Sequence, residues 1–361
     1  MAKVLVGLSG GVDSAVAAAL LVEQGHEVSA GYMKNWINQE GIPGDCPWEQ
    51  DIDDAHAVAK TLGIEFRVID LIDNYRERIV DYLIDGYRTG ITPNPDVWCN
   101  REMKFGVFLD YALEQGFERV ATGHYARHRE PEASGGRAQI LRGADPNKDQ
   151  SYFLSLMTQH QAAHAMFPTG EMLKPAVRDT AKRFNLPVAE KKDSQGICFL
   201  GQIKMTDFLS HYLDDNPGEI VGTDGEVMGE HRGLHFYTLG QRKGHGVASP
   251  REGMAYVVVG KNAEKNQLVV GWDQEDSGNL YTTECVIGTI STLNEPLDSK
   301  RLIEAQPRYR AKAEPARLEP LEDGRVSLCF ERAQRAIAPG QICGFYDAGR
   351  LLGGGVFESA K

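Results

Sequence analysis

A short stretch near the start of the chain, SGGVDS from Ser9 to Ser14, has the residue types of a loop that binds phosphate. Two adjacent glycines let backbone N–H groups approach an anion closely, and the serine hydroxyls add further donors. The apolar run Val4 to Leu8 precedes this stretch and an alanine-rich run follows it, so the pattern predicts a strand, a turn and a helix whose amino terminus faces the anion. The lysine of the GxxxxGK[ST] motif is absent, which disfavours a γ-phosphate-cleaving P-loop.

Asp13, inside this loop, would repel phosphate unless it binds Mg²⁺ or caps the helix. SGGVDS resembles the pyrophosphate loop of the N-type ATP pyrophosphatases, which cleave ATP between the α and β phosphates. The resemblance implies ATP as co-substrate, with Mg²⁺ accompanying it. We find no cysteine pair with the spacing of a structural zinc site and predict no resident metal.

Cys99 is the second-last residue of the motif PNPDVWCN, in which Pro93 and Pro95 disfavour helix in the residues before them. The pattern predicts a rigid loop that displays Cys99. Its candidate partner for sulfur chemistry is Cys198 in DSQGICFLG, because the neighbouring sequence holds no other cysteine. Cys46 is interpreted as a loop residue. Strand-like runs surround the remaining three, which are predicted to be small buried hydrophobic residues: Cys285, Cys329 and Cys343.

The composition is that of an ordinary soluble protein of two or three domains, with 361 residues, 42% of them apolar and 25% charged. The start MAKVLVGLSGG does not resemble a signal peptide, and no apolar run of about 18 residues occurs. We therefore expect a cytoplasmic protein without a membrane partner. The net charge of -12 opposes a general affinity for nucleic acid, yet three locally basic stretches favour an anionic polymer: 173–192, 231–251 and 301–317.

Strand and helix patterns alternate to about residue 130, and KDQSYFLSLMTQHQAAHA reads as a further helix. We predict a Rossmann-like α/β domain with a parallel sheet over residues 1–205. Glycine-rich short runs then indicate a small mixed α/β domain at 206–275. Short alternating strands at regular spacing predict a carboxyl-terminal antiparallel β-barrel at 276–361.

Five motifs occur in the order and approximate spacing typical of one family: GLSGGVDS, TPNPDVWCN, ATGHYAR, NKDQSYFL and SQGICFLG. The chain resembles the bacterial tRNA-specific 2-thiouridylases over essentially its whole length. That resemblance implies ATP-dependent 2-thiolation of the wobble uridine of tRNA, expected for the lysine, glutamate and glutamine tRNAs. The implied partners are tRNA and a sulfur-donor protein, either a cysteine desulfurase or a sulfur relay protein, and a monomer suffices.

The resemblance also implies roles for individual residues. The ATP-binding positions are Gly7, Leu8, Ser9, Gly10, Gly11, Val12, Asp13, Ser14, Met33 and Gly123. Asn94, Pro95 and Asp96 would hold the flipped uridine, with Asp96 also moving a proton on the base. Cys99 is the nucleophile position and Cys198 the position that carries the persulfide. Further tRNA contacts are implied for Lys148, Asp149, Gln150, Tyr309 and Arg310.

Other functions are compatible with part of these signals. An amide-forming ligase that acts on a small molecule would explain SGGVDS but neither the two cysteines nor the barrel. A non-catalytic, nucleotide-dependent RNA-binding protein would use the cysteines only as a redox switch. An iron–sulfur cluster held by Cys99, Cys198 and a third thiol would require three converging ligands. The sequence leaves open whether His124 and Tyr125 contact the nucleotide or are strand residues. Trp98 could stack on the target base, but a position in the core is the preferred interpretation.

Overall fold

The computed structural model describes residues 1–38, 40–44, 48–131, 136–192, 201, 203–248, 254–274, 277, 280–293 and 296–360. Residue 360 is described for its backbone alone. Two residues singled out from the sequence, Cys46 and Cys198, lie outside the described residues.

The first part of the chain alternates strands and helices. Its elements are β1 (Lys3–Gly7), α1 (Val12–Glu23), β2 (Glu27–Lys34), α2 (Trp48–Leu62), β3 (Glu65–Asp70), α3 (Ile72–Tyr75), a π-helical segment (Arg76–Val80), α4 (Asp81–Arg88), α5 (Pro95–Trp98), a second π-helical segment (Cys99–Val107), α6 (Phe108–Glu114), β4 (Arg119–Ala121), β5 (Ala126–Arg129), β6 (Gln139–Arg142), a 3-10 turn (Ser151–Leu154), α7 (Gln159–His164), β7 (Ala165–Met166) and α8 (Lys174–Arg183).

Five of these strands form a parallel sheet in the order β3-β2-β1-β4-β7. Alternate residues of β1 face opposite layers: Val4 and Val6 join the apolar cluster of α1 and α2, while Leu5 joins the cluster of Phe108. Both faces of β1 are covered, which explains its continuous apolar sequence. The order reverses between β1 and β4, and ligands of open parallel sheets bind at such a position.

The second part of the chain is a small mixed unit. Its elements are α9 (Met205–Tyr212), β8 (Gly218–Gly222), β9 (Val227–His231), a 3-10 turn (Leu234–Phe236), β10 (Tyr256–Asn262) and β11 (Gln267–Trp272). The strands pair in the order β10-β11-β8-β9, antiparallel except between β11 and β8. Its core contains Ile220, Tyr237 and Val258, so this part buries an apolar cluster of its own.

The last part is a closed antiparallel barrel. Its strands are β12 (Tyr281–Thr292), β13 (Arg301–Gln306), β14 (Glu314–Pro320), β15 (Val326–Arg335), β16 (Ile342–Asp347) and β17 (Arg350–Ala360). They pair in the order β12-β15-β14-β13-β16-β17, and pairing of β12 with β17 closes the barrel. The sequence prediction of a parallel α/β domain, a mixed unit and an antiparallel barrel is confirmed.

Strands from the first part extend the barrel sheet. The hairpin β5–β6 pairs through Leu141 and Ile140 with Arg350 and Leu351 of β17. The hydroxyl of Ser291 in β12 donates to the backbone oxygen of Met157 over 2.7 Å. The barrel is thus joined to the α/β part by backbone pairing and by side-chain hydrogen bonds.

All three parts meet at the turn between α4 and α5. The backbone N–H of Thr92 donates to the carbonyl of Pro339 in the barrel over 2.8 Å. The hydroxyl of Thr92 lies 3.2 Å from that of Thr238 in the middle part. Lys261, also of the middle part, donates from Nζ to the carbonyl of Gly90 over 3.3 Å. Thr92 lies two residues before Asn94, so these contacts fix the entry to the PNPDVWCN motif.

The prediction of one helix from Lys148 to Ala165 is wrong. This stretch forms the 3-10 turn at 151–154, and α7 begins only at Gln159. A capping box starts α7, because the Thr158 side chain accepts from the Gln161 backbone and the Gln161 side chain accepts from the Thr158 backbone. Among the described residues, no helix is long and apolar enough to cross a membrane.

Candidate active site

The phosphate-type loop connects β1 to α1 at the carboxyl edge of the parallel sheet. Gly10 has φ +72°, and a Cβ there would lie 2.7 Å from the carbonyl oxygen of Asp51. Only glycine fits this position. Gly11 is the N-cap residue and has no side chain with which to cap the first turn of α1, so the N–H groups of that turn face the loop. The Ser14 hydroxyl lies 3.2 Å from the Ser9 hydroxyl and closes the turn. These residues fit an anionic phosphate group.

Asp13 is neutralised by residues from other elements. Its Oδ1 accepts a hydrogen bond from Lys174 Nζ over 2.7 Å and another from the Tyr125 hydroxyl over 2.7 Å. Lys174 begins α8, and its side chain is only 12% exposed. Asp13 therefore neither caps α1 nor opposes phosphate with an unpaired charge. The sequence reasoning missed Lys174 and left Tyr125 unassigned, although both stand inside stretches it had marked.

Met33 and Gly123 lie beside this loop, at the ends of the strands that flank β1. Met33 is buried near the end of β2, and its Cε would be 3.2 Å from a Cβ on Gly7. Gly123 follows β4, and a Cβ there would lie 2.5 Å from the backbone of Asp13 and Ser14. The structure thus brings together the positions that the family resemblance assigned to ATP. Nothing larger than glycine fits at 123 without displacing the first turn of α1.

The PNPDVWCN motif is helical from Pro95 onward, so the prediction of a rigid loop that reaches Cys99 is wrong, whereas the residues before Pro93 and Pro95 are not helical, as predicted. Pro95 occupies the first turn of α5, where its fixed φ suits a helix and its missing N–H is not needed. Asn94 is the N-cap residue and its side chain accepts from the Val97 N–H over 3.2 Å. The restriction before Pro95 thus falls on an N-cap residue that is extended in any case. The helix then continues into the π-helical segment that starts at Cys99.

Cys99 is buried, with 1% of its surface exposed, so the prediction that it is displayed is also wrong. It packs in the core cluster that contains Met33, Phe108 and Ile203. Ile203 lies 2.8 Å from a Cβ position on Gly44, which shows where the chain runs after residues 193–200. Cys198 belongs to residues 193–200, which lie outside the described part of the chain, so the structure does not define the distance between Cys198 and Cys99. The Cys99 thiol is shielded from bulk solvent.

The remaining motif residues hold the surrounding backbone. Asp96 lies in the first turn of α5 and its carbonyl accepts from Asn100 Nδ2 over 3.0 Å. Asp149 accepts from Arg142 over 2.8 Å and from the backbone N–H groups of Gly143 and Ser151. Gln150 accepts from the Tyr125 N–H over 3.0 Å. Asp149 and Gln150 therefore order the loop on which Lys148 stands.

Tyr309 and Arg310 lie in the connection between β13 and β14 of the barrel. The Tyr309 ring centroid is 4.3 Å from that of Phe153, and both pack in one cluster with Val97 and Tyr152. Tyr152 also donates from its hydroxyl to the Ile342 carbonyl over 2.9 Å. The barrel connection is thus seated beside α5. Arg310 is exposed and projects from it, together with the exposed Arg308 and Lys312.

Most basic side chains of the stretch 173–192 are paired with acidic groups or backbone carbonyls of the same chain. Lys174 binds Asp13, Arg183 binds Glu23 and Lys191 lies 2.8 Å from Asp51 and 2.6 Å from Asp54. Arg178 donates to the carbonyls of Ala189 and Lys191, and Lys182 pairs with Glu190. This stretch therefore presents much less free positive charge to an anionic polymer than its composition indicates. The barrel connection 307–313 retains exposed cations.

The three strand cysteines differ in burial. Cys285 and Cys343 are buried as predicted, and burial raises the pKa of the Cys285 thiol to about 12 and that of Cys343 well above its usual value. Cys329 is exposed, so the prediction for it is wrong. In β15 the buried positions alternate through Val326, Leu328 and Phe330, and Cys329 points to the opposite face. Trp98 is half-buried, with its ring 5.1 Å from that of Tyr82.

The fold and this site define a class: a nucleotide-binding α/β domain of the pyrophosphate-loop type joined to a β-barrel. Residues 2–202 match the family model described as tRNA methyl transferase HUP domain. Residues 206–272 match the tRNA methyl transferase PRC-barrel domain, and residues 282–357 match the aminomethyltransferase beta-barrel domain.

The curated relatives define the family more narrowly. The chain is 66% identical over 361 residues to "tRNA-specific 2-thiouridylase MnmA" of Akkermansia muciniphila, with 100% of both chains covered. Proteins of the same name from Pseudomonas syringae pv. syringae and Pseudomonas aeruginosa are 44% and 42% identical, over 100% and 99% of this chain and 95% of each relative. The chain belongs to the tRNA-specific 2-thiouridylase family.

Proposed function

We propose that this chain uses ATP to replace the C2 oxygen of the wobble uridine of tRNA with sulfur, in the tRNAs for lysine, glutamate and glutamine. As a member of its family, the chain is a tRNA-uridine 2-sulfurtransferase. One observation carries the finer proposal: the segment from Asn94 to Cys99 packs both against the sheet that bears the phosphate-type loop and against Tyr309 of the barrel. The phosphate-type loop, the buried Cys99 thiol and the exposed cations of the barrel connection thus belong to elements that contact this one segment, which supports the proposal.

ATP is assigned to the β1–α1 loop, because uncapped N–H groups, two serine hydroxyls and the close approach at Gly10 suit its phosphates. Bound there, ATP supplies the adenylyl group that converts the C2 oxygen of uridine into a leaving group. Mg²⁺ accompanies ATP in this proposal. Oδ1 of Asp13 already accepts from Lys174 and Tyr125, so we assign no protein ligand to the metal.

The target base is assigned to the amino-terminal end of α5. An enzyme that acts on a base must take that base out of its stack, and the cap residue Asn94 with Pro95 and Asp96 forms a fixed backbone against which it can rest. Asp96 is proposed to take up and return the proton of the base as the C2 oxygen is activated and replaced. Burial of Cys99 next to this helix keeps water away from the activated carbon.

Sulfur is proposed to arrive as a persulfide on Cys198, loaded by a cysteine desulfurase or a sulfur relay protein. In one route the Cys99 thiolate attacks Cys198, and the released hydrosulfide attacks C2 and expels AMP. In the other, the terminal persulfide sulfur attacks C2 and expels AMP, and Cys99 then attacks Cys198 to release the thiolated base. Both routes end with a Cys99–Cys198 disulfide, which a thiol reductant must reopen before the next cycle.

The remaining tRNA contacts are assigned to two adjoining surfaces. Tyr309 and Arg310 stand on the barrel connection, with other exposed cations beside them. Lys148 stands on the loop that Asp149 and Gln150 order. One tRNA bound by one copy of the chain satisfies the proposal, so we propose a monomer.

The test is thiolation of an unmodified tRNA transcript with a wobble uridine. The protein is incubated with the transcript, ATP, Mg²⁺, cysteine, a cysteine desulfurase and a thiol reductant, and the RNA is run on a mercury-containing gel. We expect a retarded band that requires ATP and is lost in Cys99→Ser and Cys198→Ser. Cys329→Ser is the matched control, because this thiol is exposed on the barrel, and it retains the band.

The same reaction separates the competing functions. Absence of a retarded band, on protein shown to carry persulfide, would contradict the proposal. AMP formation that needs neither RNA nor Cys198 would favour a small-molecule ligase. Binding of tRNA and ATP without any AMP would favour a redox-sensing RNA-binding protein, and a brown protein with iron and sulfide would indicate a cluster.

A further inference from the structure

Asn35, directly after β2, carries a buried amide for which the described residues provide no partner. The residue is 1% exposed, and neither Oδ1 nor Nδ2 makes a hydrogen bond. Buried side-chain amides are normally bonded, because an unmet donor or acceptor has lost its water without compensation. Asn38, three residues later, shows the ordinary case: its amide both donates to and accepts from the backbone of Ile42. Among the residues that the structure describes, the amide of Asn35 makes no such contact.

The neighbours of Asn35 in the chain pack in the cluster that contains Cys99. Asn35 comes directly after β2, and both Met33 near the end of this strand and Trp36 belong to that cluster, together with Phe108 and Cys99. A Cβ on Gly31 would lie 2.9 Å from the Phe108 ring, so β2 packs against the helical element that begins at Cys99 and continues into α6. Asn35 therefore stands at the carboxyl end of a strand that contacts the element bearing the thiol.

Other unmet polar atoms lie in the segments that carry Cys99 and Asn35. Within the described residues, Asn100 Oδ1 and Trp36 Nε1 are buried without a hydrogen-bond partner. Asn100 follows Cys99 in the chain, and Trp36 follows Asn35 and packs in the cluster of Cys99. Unmet donors and acceptors in both of these segments are expected where a polar planar ligand enters.

We infer that the amide of Asn35 binds the imide edge of the target uracil, with Nδ2 donating to O4 and Oδ1 accepting from N3–H. This inference rests on the proposed function, which brings a flipped uridine to Cys99. An amide presents one donor and one acceptor in a plane, which matches the carbonyl and N–H of that edge. The adenine of ATP offers a similar edge. Uracil is favoured because Asn35 follows a strand that packs against the helical element bearing the thiol.

The experiment measures binding, so it is independent of turnover. Anticodon stem-loop RNAs with uridine or 4-thiouridine at the wobble position are titrated by fluorescence anisotropy against the wild type, Asn35→Ala and Asn35→Asp. Sulfur at position 4 is a weak acceptor, so the wild type is expected to bind 4-thiouridine about fivefold to tenfold more weakly, the size of one hydrogen bond. In Asn35→Ala the ratio between the two RNAs falls to about one. Asn35→Asp, which has no donor, also loses the preference.

Asn38→Ala is the control and keeps the wild-type ratio, although its melting temperature falls because two backbone groups lose their partner. An unchanged ratio in Asn35→Ala overturns the inference. If the affinity for ATP falls in that variant instead, the amide binds the adenine of ATP and not the uracil. If only the melting temperature falls, the amide stabilises the fold and binds neither base. Failure of the wild type to thiolate tRNA, with the binding ratio intact, would refute the proposed reaction and leave base recognition by Asn35 standing.

Discussion

Lys174 donates from Nζ to Oδ1 of Asp13 over 2.7 Å, so a lysine 161 residues away along the chain neutralises the acidic residue of the phosphate-type loop. Without this lysine, the partly buried Asp13 carboxylate would stand uncompensated beside the proposed phosphate site. The Tyr125 hydroxyl would be its only other donor among the described residues. We therefore expect this ion pair to be needed for phosphate binding at this loop.

Lys174→Met is therefore expected to weaken ATP binding about tenfold to a hundredfold, the cost of an unpaired charge near phosphate. Asp13→Asn in the same protein should recover part of this loss, because the repulsion is removed. Isothermal titration with ATP measures both effects. Lys182→Met, which removes a surface lysine of the same helix, is the control and binds as the wild type does. Additive losses in the double variant would contradict the explanation.

Arg310 is expected to bind tRNA through the phosphate backbone. Arg310→Gln should weaken binding severalfold at low salt and reduce the slope of log K against log salt by about one, because one fewer counterion is released. ATP binding stays unchanged. Filter binding at several salt concentrations measures the slope. Arg325→Gln is the control, since Arg325 lies at the opposite end of β14 and is paired with Asp323 and Glu358. If both variants show the same slope of log K against log salt, Arg310 does not contact the tRNA backbone.

Thr92 is expected to hold the segment from Asn94 to Cys99 in place against the barrel and against the middle part of the protein. Thr92→Val removes the hydroxyl contact to Thr238 but keeps the backbone N–H that donates to Pro339. The lost hydrogen bond costs about 1 kcal/mol, so amide exchange in the turn before Asn94 should become faster by about fivefold. Thiolation should slow while ATP binding is retained. Thr61→Val, which removes a hydroxyl contact within α2, is the control and leaves exchange at this turn unaltered.

The sequence predicted the architecture well because the architecture depends on local patterns. The buried run of β1, the glycine turn and the alanine-rich α1 are read from periodicity, and the regular short strands indicate a barrel. Closure of that barrel and its extension by β5 and β6 depend on pairing between distant strands. Such pairings cannot be predicted from the local pattern of residues within one strand.

The errors at the site have similar causes. The residues before Pro93 and Pro95 are not helical, as predicted, but the pattern did not show that Pro95 itself begins α5, where its fixed φ favours the helix that continues through Cys99. The basic stretch 173–192 was interpreted without its partners, which stand at Asp13, Glu23 and Asp51. Cys329 was predicted to be buried from its residue type and its strand-like surroundings, although alternation in β15 indicates that it faces outward. Asn35 gave no signal, because an unmet amide is visible only once its surroundings are known.

His124 supplies a prediction for pH. It follows Gly123, is buried between the rings of Phe105 and Phe167, and its Nδ1 lies 2.7 Å from the Thr122 hydroxyl. Burial, together with the nearby charge of Lys104, holds the pKa of His124 well below 6.5 in the folded protein. The unfolded chain takes up a proton near pH 6.5 and the folded protein does not. This contribution to stability is therefore present above pH 6.5 and is lost as the pH falls below it, by at most about 1.4 kcal/mol per pH unit.

His124→Gln removes this titration, so its melting temperature should fall less than that of the wild type between pH 7.5 and pH 5. At pH 7.5 the variant is expected to be the less stable protein, because a packed ring is lost. Burial lowers the pKa of His128 too, so part of the acid sensitivity remains in the variant. His160→Gln, which replaces an exposed histidine, is the control for the loss of a ring. Parallel melting curves for His124→Gln and the wild type across this range would show that His124 does not cause the acid sensitivity near the proposed ATP site.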